Sequence, residues 1–216
     1  MSRAVSVLLD LVFLRRCVLC HRLLERDEPQ LCPACAAALP EPISGARRGS
    51  YYKRWTGALW YEDTVRESFH RYKFGGCRFY ARYYGPLLAK AVEKQLGDGY
   101  DILTYIPINA LRKRQRGYDQ TLLLAREAGK LLGMEPVSTL KKRRRRPQSR
   151  MLGQEERLRN IRGAFTVSAP EAVRGRRVLL IDDVLTTGAT VSEAARVLLE
   201  AGAKSVDVAA LAVTPK

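Results

Sequence analysis

Two adjacent carboxylates, Asp182 and Asp183, close a run of apolar residues and directly precede a Thr/Gly-rich turn (178–190, VLLIDDVLTTGAT). A short continuous apolar run is the mark of a strand covered on both faces. Such a strand delivers the residues at its end to the carboxyl edge of a parallel sheet, where α/β proteins bind ligands. Carboxylates there accept hydrogen bonds from a vicinal diol, such as the 2′- and 3′-hydroxyls of a ribose. Behind them Thr186, Thr187, Gly188, Ala189 and Thr190 offer backbone N–H groups and hydroxyls where a helix begins. That is a site for a phosphate monoester, reinforced by the helix dipole, and Gly188 permits close approach or a positive φ. The turn lacks G-x-x-x-x-G-K-[ST], which excludes a P-loop. The spacing therefore points to a ribose 5-phosphate ligand, against the plainer alternative of an ordinary βα connection with a threonine N-cap.

A second constellation is sulfur. Cys17-x2-Cys20 and Cys32-x2-Cys35 stand eleven residues apart, with Cys77 left over. Two such knuckles bring four thiolates into a tetrahedron, which suits a structural Zn²⁺ with no open position. A redox pair is the competing reading, and the presence of two pairs argues against it. The segment is poor in apolar residues, so metal binding is expected to supply much of its folding energy.

These residues need elements to position them. The pattern predicts strands at 58–61, 102–106, 178–181 and 206–213. Between them lie a basic, aromatic helix or turn through Phe74 that Gly75-Gly76 interrupts, and helices over 80–96, 120–132 and 190–201, each closed by a glycine: Gly97, Gly133 and Gly202. Alternation of this kind implies an α/β fold, a parallel sheet flanked by helices. The stretch 40–45 (PEPISG) reads as a boundary, giving a zinc-binding module over 1–45 and a larger domain over 50–216. Residues 4–14 have helical spacing but contain Asp10 and lead into Arg15-Arg16. With no apolar run of spanning length and no cleavage site, a cytoplasmic protein without a transmembrane segment is expected.

The chain carries 38 Lys/Arg against 22 Asp/Glu, a formal charge of +16, which calls for anionic partners. Residues 141–163 contain ten Lys/Arg and two Glu, including KKRRRR at 141–146.

IDDVLTTGAT resembles the signature by which type I phosphoribosyltransferases bind 5-phosphoribosyl-1-pyrophosphate (PRPP). The resemblance implies that Asp182 and Asp183 hold the ribose hydroxyls, that Thr186, Thr187, Gly188, Ala189 and Thr190 hold the 5′-phosphate, and that Mg²⁺ accompanies PRPP. Three further blocks, WYEDTVRESFHRYKFGG, YIPINALRKRQRGYDQTLLLA and RPQSRMLGQEERLRNIRGAF, stand in order behind the cysteine cluster. This order is similar to the ComF family (ComFC-type proteins), linked in bacteria to DNA uptake during natural transformation. One departure is Tyr118-Asp119, where the family pattern usually has Phe-Asn.

By the same resemblance Pro107, Ile108, Asn109 and Ala110 occupy the loop that receives pyrophosphate. Arg112 and Arg116 are the candidates for phosphate contacts, since a guanidinium grips oxyanions in bidentate fashion; the alternative is a solvated basic surface. Residues 141–163 resemble the loop that covers the ligand, with Gln148, Gln154, Arg157, Arg159 and Asn160 as its family positions. The aromatic and basic residues of 69–84 either stack on single-strand bases or pack into the core. The expected function is that of a PRPP-binding ComF-type protein in DNA uptake, partnered by single-stranded DNA and the uptake machinery. The alternative is a metabolic phosphoribosyltransferase that joins PRPP to a base or amine and releases pyrophosphate. Glycosyl transfer from PRPP is implied by the resemblance alone, for no residue is visible as a general base.

Overall fold

The computed structural model describes residues 15–25, 28–45, 49–143 and 161–215. In chain order its helices are α1 (Pro33–Ala37), α2 (Asp63–Phe74), α3 (Ala81–Gln95), α4 (Ala110–Arg116), α5 (Gln120–Leu132), α6 (Pro170–Val173) and α7 (Ala189–Glu200). Its strands are β1 (Trp55–Trp60), β2 (Ile102–Tyr105), β3 (Leu140–Lys142), β4 (Phe165–Val167), β5 (Arg177–Leu185) and β6 (Ser205–Val213). Four strands form one sheet in the order β1-β6-β5-β2, every pair parallel. The parallel α/β sheet expected from the sequence is thus present. β3 and β4 form a separate antiparallel pair.

Strand alternation builds two cores from one sheet. On β5, Leu179 and Ile181 face an apolar layer shared with Leu88 and Val92 of α3 and Leu124 and Ala128 of α5. Val178 and Leu180 face the opposite layer, with Val191, Ala194 and Leu198 of α7. Coverage on both sides explains why the two central strands read as apolar runs. α3 and α5 cross closely at Gly85, where a Cβ would lie 2.4 Å from Glu127 Cβ and 2.8 Å from the Ala128 nitrogen. Glycine at this position is therefore what lets the two helices touch.

Several boundaries differ from expectation for physical reasons. β5 does not stop at Ile181 but continues through both carboxylates to Leu185, because β6 pairs with it along that whole length. The stretch after β2, expected as a loop, contains helix α4. It is capped by Asn109, whose Oδ1 accepts the Arg112 N–H at 2.8 Å, and ends at Gly117 with φ 77°. α7 starts at Ala189 behind Gly188 rather than at Thr190. The short β3–β4 pair was not anticipated.

The cysteine segment packs against the rest of the molecule. Cys17, Val18, Leu19, Leu31 and Cys32 are buried in the same apolar cluster as Phe69, Tyr72 and Tyr84. The Ser68 hydroxyl bonds the Val18 carbonyl and the Arg71 guanidinium donates to the Leu19 carbonyl. Phe69, Tyr72, Tyr80 and Tyr84 are core residues, with Tyr72 edge-on to Tyr84 at 5.4 Å and Phe69 tilted over Tyr84 at 5.5 Å. Burial withdraws these four from any base-stacking surface and leaves Phe74 and Phe79 exposed. Among the described residues no helix is long and apolar enough to cross a membrane.

Candidate functional site

The carboxyl end of β5 gives its two acids different surroundings. Asp183 accepts the Lys73 ammonium at 3.0 Å and the Gln120 side-chain amide at 2.9 Å, both on Oδ2. Among the described residues Asp182 has no ion pair: its Oδ1 accepts the Asp183 backbone N–H at 2.8 Å, and the residue is 7% exposed. Burial, with the neighbouring Asp183 charge adding to it, pushes Asp182 up to about 7. Burial acts on Asp183 too, but Lys73 and the Gln120 amide outweigh it and hold that carboxyl below its usual range. Like charges this close separate their titrations. At neutral pH the pair presents one firm acceptor and one carboxyl that can still donate, a combination suited to a diol.

Beyond them Thr186 and Thr187 are exposed, and Gly188 sits in the left-handed region at φ 80° as the N-cap of α7. Among the described residues no side chain serves as the N-cap of this helix, and the Thr187 hydroxyl accepts the Ala189 N–H at 3.4 Å. The first turn of a twelve-residue helix therefore keeps N–H groups for an anion. Thr190 is half-buried just inside the helix.

The segment after β2 lies alongside. The Ile106 N–H donates to the Ile181 carbonyl at 2.9 Å, which sets residues 107–110 beside the acids. Asp119 pins this loop to α5. Its Oδ1 accepts the Thr121 and Leu122 N–H groups at 3.1 Å each, and its Oδ2 takes the Ile108 N–H at 3.3 Å. Pro107, Ile108 and Asn109 are half-exposed and Ala110 exposed. Arg112 is exposed, whereas Arg116 is half-buried with its guanidinium 4.6 Å from the Phe74 ring centre, and burial lowers its pKa. A cleft of about 650 Å³ opens here between α2 and α4, lined by Tyr61, Lys73, Phe74, Arg112, Gln115 and Arg116. Gln148, Gln154, Arg157, Arg159 and Asn160 lie outside the described residues.

The four sulfurs converge as their spacing requires. Sγ atoms of Cys17, Cys20, Cys32 and Cys35 all lie within 4.8 Å of one another, with Cys20 and Cys32 at 3.7 Å. Tetrahedral thiolates at about 2.3 Å from a zinc ion stand roughly 3.8 Å apart, so the donor set fits that metal. Cys32 caps α1 and its sulfur accepts the Cys35 N–H at 3.4 Å, which leads the causes that bring this thiol down to about 6. None of the cysteines is in a disulfide. The cluster could hold a metal ion; His21, beside it at φ 65°, is not one of the converging groups.

The sequence profile of the phosphoribosyl transferase domain matches residues 118–216. The DNA utilization protein YhgH of Salmonella typhimurium is 30% identical over 201 residues, which span 89% of this chain and 87% of that protein. The chain belongs to the ComF family. The competence protein ComFC of Streptococcus pneumoniae is 32% identical over 146 residues, 68% of this chain and 62% of that protein, so the match there spans less than two thirds of the relative. ComFC of Bacillus subtilis is 26% identical over 200 residues, covering 86% and 78% of the two chains.

In this ComF chain the departure at Tyr118-Asp119 has a visible use. Asp119 is an N-cap that also holds the 107–110 loop, and the Tyr118 hydroxyl donates to the Tyr72 carbonyl. Burial raises Asp119 against these three backbone donors. Three residues that sequence reasoning missed join the site: Lys73, Gln120 and Lys142. Lys142 on β3 is half-buried, its ammonium 5.3 Å from the Phe165 ring centre, and burial lowers its pKa while Asp182 pulls the other way.

The raised carboxyl predicts a pH signature. Below about pH 4 folded and unfolded chains both hold the Asp182 proton, and its contribution is present in full. Between there and pH 7 only the folded chain keeps it, so stability falls as pH rises through that window. Asp182→Asn removes this loss. Urea unfolding from about pH 4.5 to 7.5 is expected to show the variant gaining on the wild type as pH rises; a difference independent of pH would contradict the assignment.

Proposed function

We propose that this ComF-family chain binds PRPP at the carboxyl edge of β5 and serves DNA uptake through that site and its basic surface. The observation that carries the reading is the juxtaposition of Asp182 and Asp183 with an uncapped helix N-terminus a few residues away. In this reading the acids hold the ribose 2′- and 3′-hydroxyls and Thr186, Thr187, Gly188, Ala189 and Thr190 take the 5′-phosphate. Pyrophosphate lies over Pro107, Ile108, Asn109 and Ala110, with Arg112 and Arg116 beside it. Oxygen donors of this kind fit Mg²⁺, which when bound with PRPP supplies positive charge to pyrophosphate and ribose oxygens. The protein's own part is to orient the sugar and to gather cations where the leaving group sits.

DNA uptake is supported by relatives named competence protein and DNA utilization protein. Single-strand binding rests on the surplus of 16 positive charges and on exposed Phe74 and Phe79. The four sulfurs are read as a structural zinc centre, closed to substrate because all four positions belong to cysteine.

Calorimetric titration of the full chain with PRPP and Mg²⁺ tests the site. Asp182→Asn/Asp183→Asn is expected to weaken binding by more than about ten-fold, since the charged acceptor at Asp183 and the carboxyl of Asp182 are both lost; unchanged affinity refutes the assignment. A labelled single-stranded oligonucleotide should bind with an affinity that drops log-linearly with salt, and no binding at about 150 mM salt removes the nucleic-acid role. Metal analysis should find about one zinc per chain, lost on thiol modification, with Cys20→Ser lowering the melting temperature. A metal-free protein that cycles between dithiol and disulfide would replace zinc with redox chemistry.

A further inference from the structure

Lys73 belongs to two places at once. It sits in the last turn of α2, its ammonium pairs with Asp183 at 3.0 Å, and its side chain also lines the cleft between α2 and α4. Both members of the pair are largely withdrawn from solvent, with side chains 17% and 14% exposed. The cleft is strongly cationic. Among the described residues Lys73, Arg112 and Arg116 contribute to its walls, and no carboxylate does. Among those same residues neither arginine makes an ion pair, and Arg116 rests against the Phe74 ring instead. A cleft with this lining takes a compact polyanion, of the charge density of a diphosphate.

The pair stands in the way of the ribose site. Asp183 Oδ2, the oxygen that receives Lys73, also receives the Gln120 amide. A diol that takes this Oδ2 has to compete with both donors. An anion in the cleft that Lys73 lines offers its ammonium another partner. Conversely, a ligand that engages Asp183 leaves Lys73 free to face the cleft. Each ligand therefore favours the parted pair. Bound together they incur the cost of parting it once, and by linkage each raises the affinity of the other by the same factor.

We propose that Lys73 is a shared cation that couples the two halves of the site, passing from Asp183 to a polyphosphate in the α2–α4 cleft when sugar and polyphosphate bind together. This rests on the reading of Asp182 and Asp183 as the ribose site. It assigns Lys73 a positioning role that the PRPP signature, about 110 residues further along the chain, does not contain.

Ribose 5-phosphate and inorganic pyrophosphate are separable probes for the two halves. The affinity of the full chain for ribose 5-phosphate is measured with Mg²⁺ in excess, with and without pyrophosphate. Pyrophosphate should tighten it about ten-fold, within the usual range of coupling between sites. In Lys73→Met the ratio of the affinities with and without pyrophosphate should shrink to less than about two-fold, whatever the change in the affinity for ribose 5-phosphate alone, and Lys73→Arg should restore the ratio. A lysine that merely held the fold would give a variant that binds neither probe and melts early. Binding of ribose 5-phosphate without enhancement in the wild type, or with the full enhancement in Lys73→Met, overturns the coupling alone. No binding of ribose 5-phosphate to the wild type under either condition overturns the ribose site itself, and the coupling with it.

Discussion

Placing two neighbouring carboxylates at the buried end of a strand is the constraint around which this molecule is arranged. Two such groups do not both ionise without help. Here the help is asymmetric: one acid receives a lysine and an amide, the other is left to hold its proton longer. That asymmetry requires α2 to bring Lys73 to the sheet edge and α5 to begin with Gln120. It requires β5 to remain paired with β6 past the acids, so that neither can swing away. The sheet order, the helix crossing at Gly85 and the cap at Asp119 all serve to hold these three elements in register.

What could be read from the chain and what could not divides by sequence distance. The apolar run, the acids, the turn and the helix start are contiguous, so their chemistry could be inferred from neighbours alone. The cysteine pairs were legible for the same reason, each knuckle being local and the eleven-residue gap short enough for a hairpin. Lys73 and Gln120 lie 110 and 63 residues before Asp183, and nothing around them marks them out. Lys73 is one cation in a stretch already crowded with Arg66, Arg71, Arg78 and Arg82. Helix α4 has no apolar face to give a period, and its only signals were the Asn109 cap and Gly117. Strands β3 and β4 are three residues each, too short for alternation to show. The aromatic segment 69–84 allowed two readings, and tertiary packing divided it, with Phe69, Tyr72, Tyr80 and Tyr84 inside, Tyr83 half-buried, and Phe74 and Phe79 outside.

The site is also unusual in how it uses hydrogen bonds that resemble ordinary capping. Asp119 meets three backbone donors, two in its own helix and one in the loop opposite. An N-cap of this type contributes about 1 kcal/mol to its helix. The third bond joins that local device to the segment beside the acids, so a residue that looks like helix punctuation also sets the position of a candidate ligand loop.

Helix α2 faces in two directions. Through Ser68 and Arg71 it is bonded to the carbonyls of Val18 and Leu19, between the first two cysteines, and one turn later it carries Lys73 to the sheet edge. Arg71 and Lys73 share the last turn of that helix, two residues apart. The seating of the cysteine segment and the charge balance of the acids are thus held by neighbouring residues of one helix.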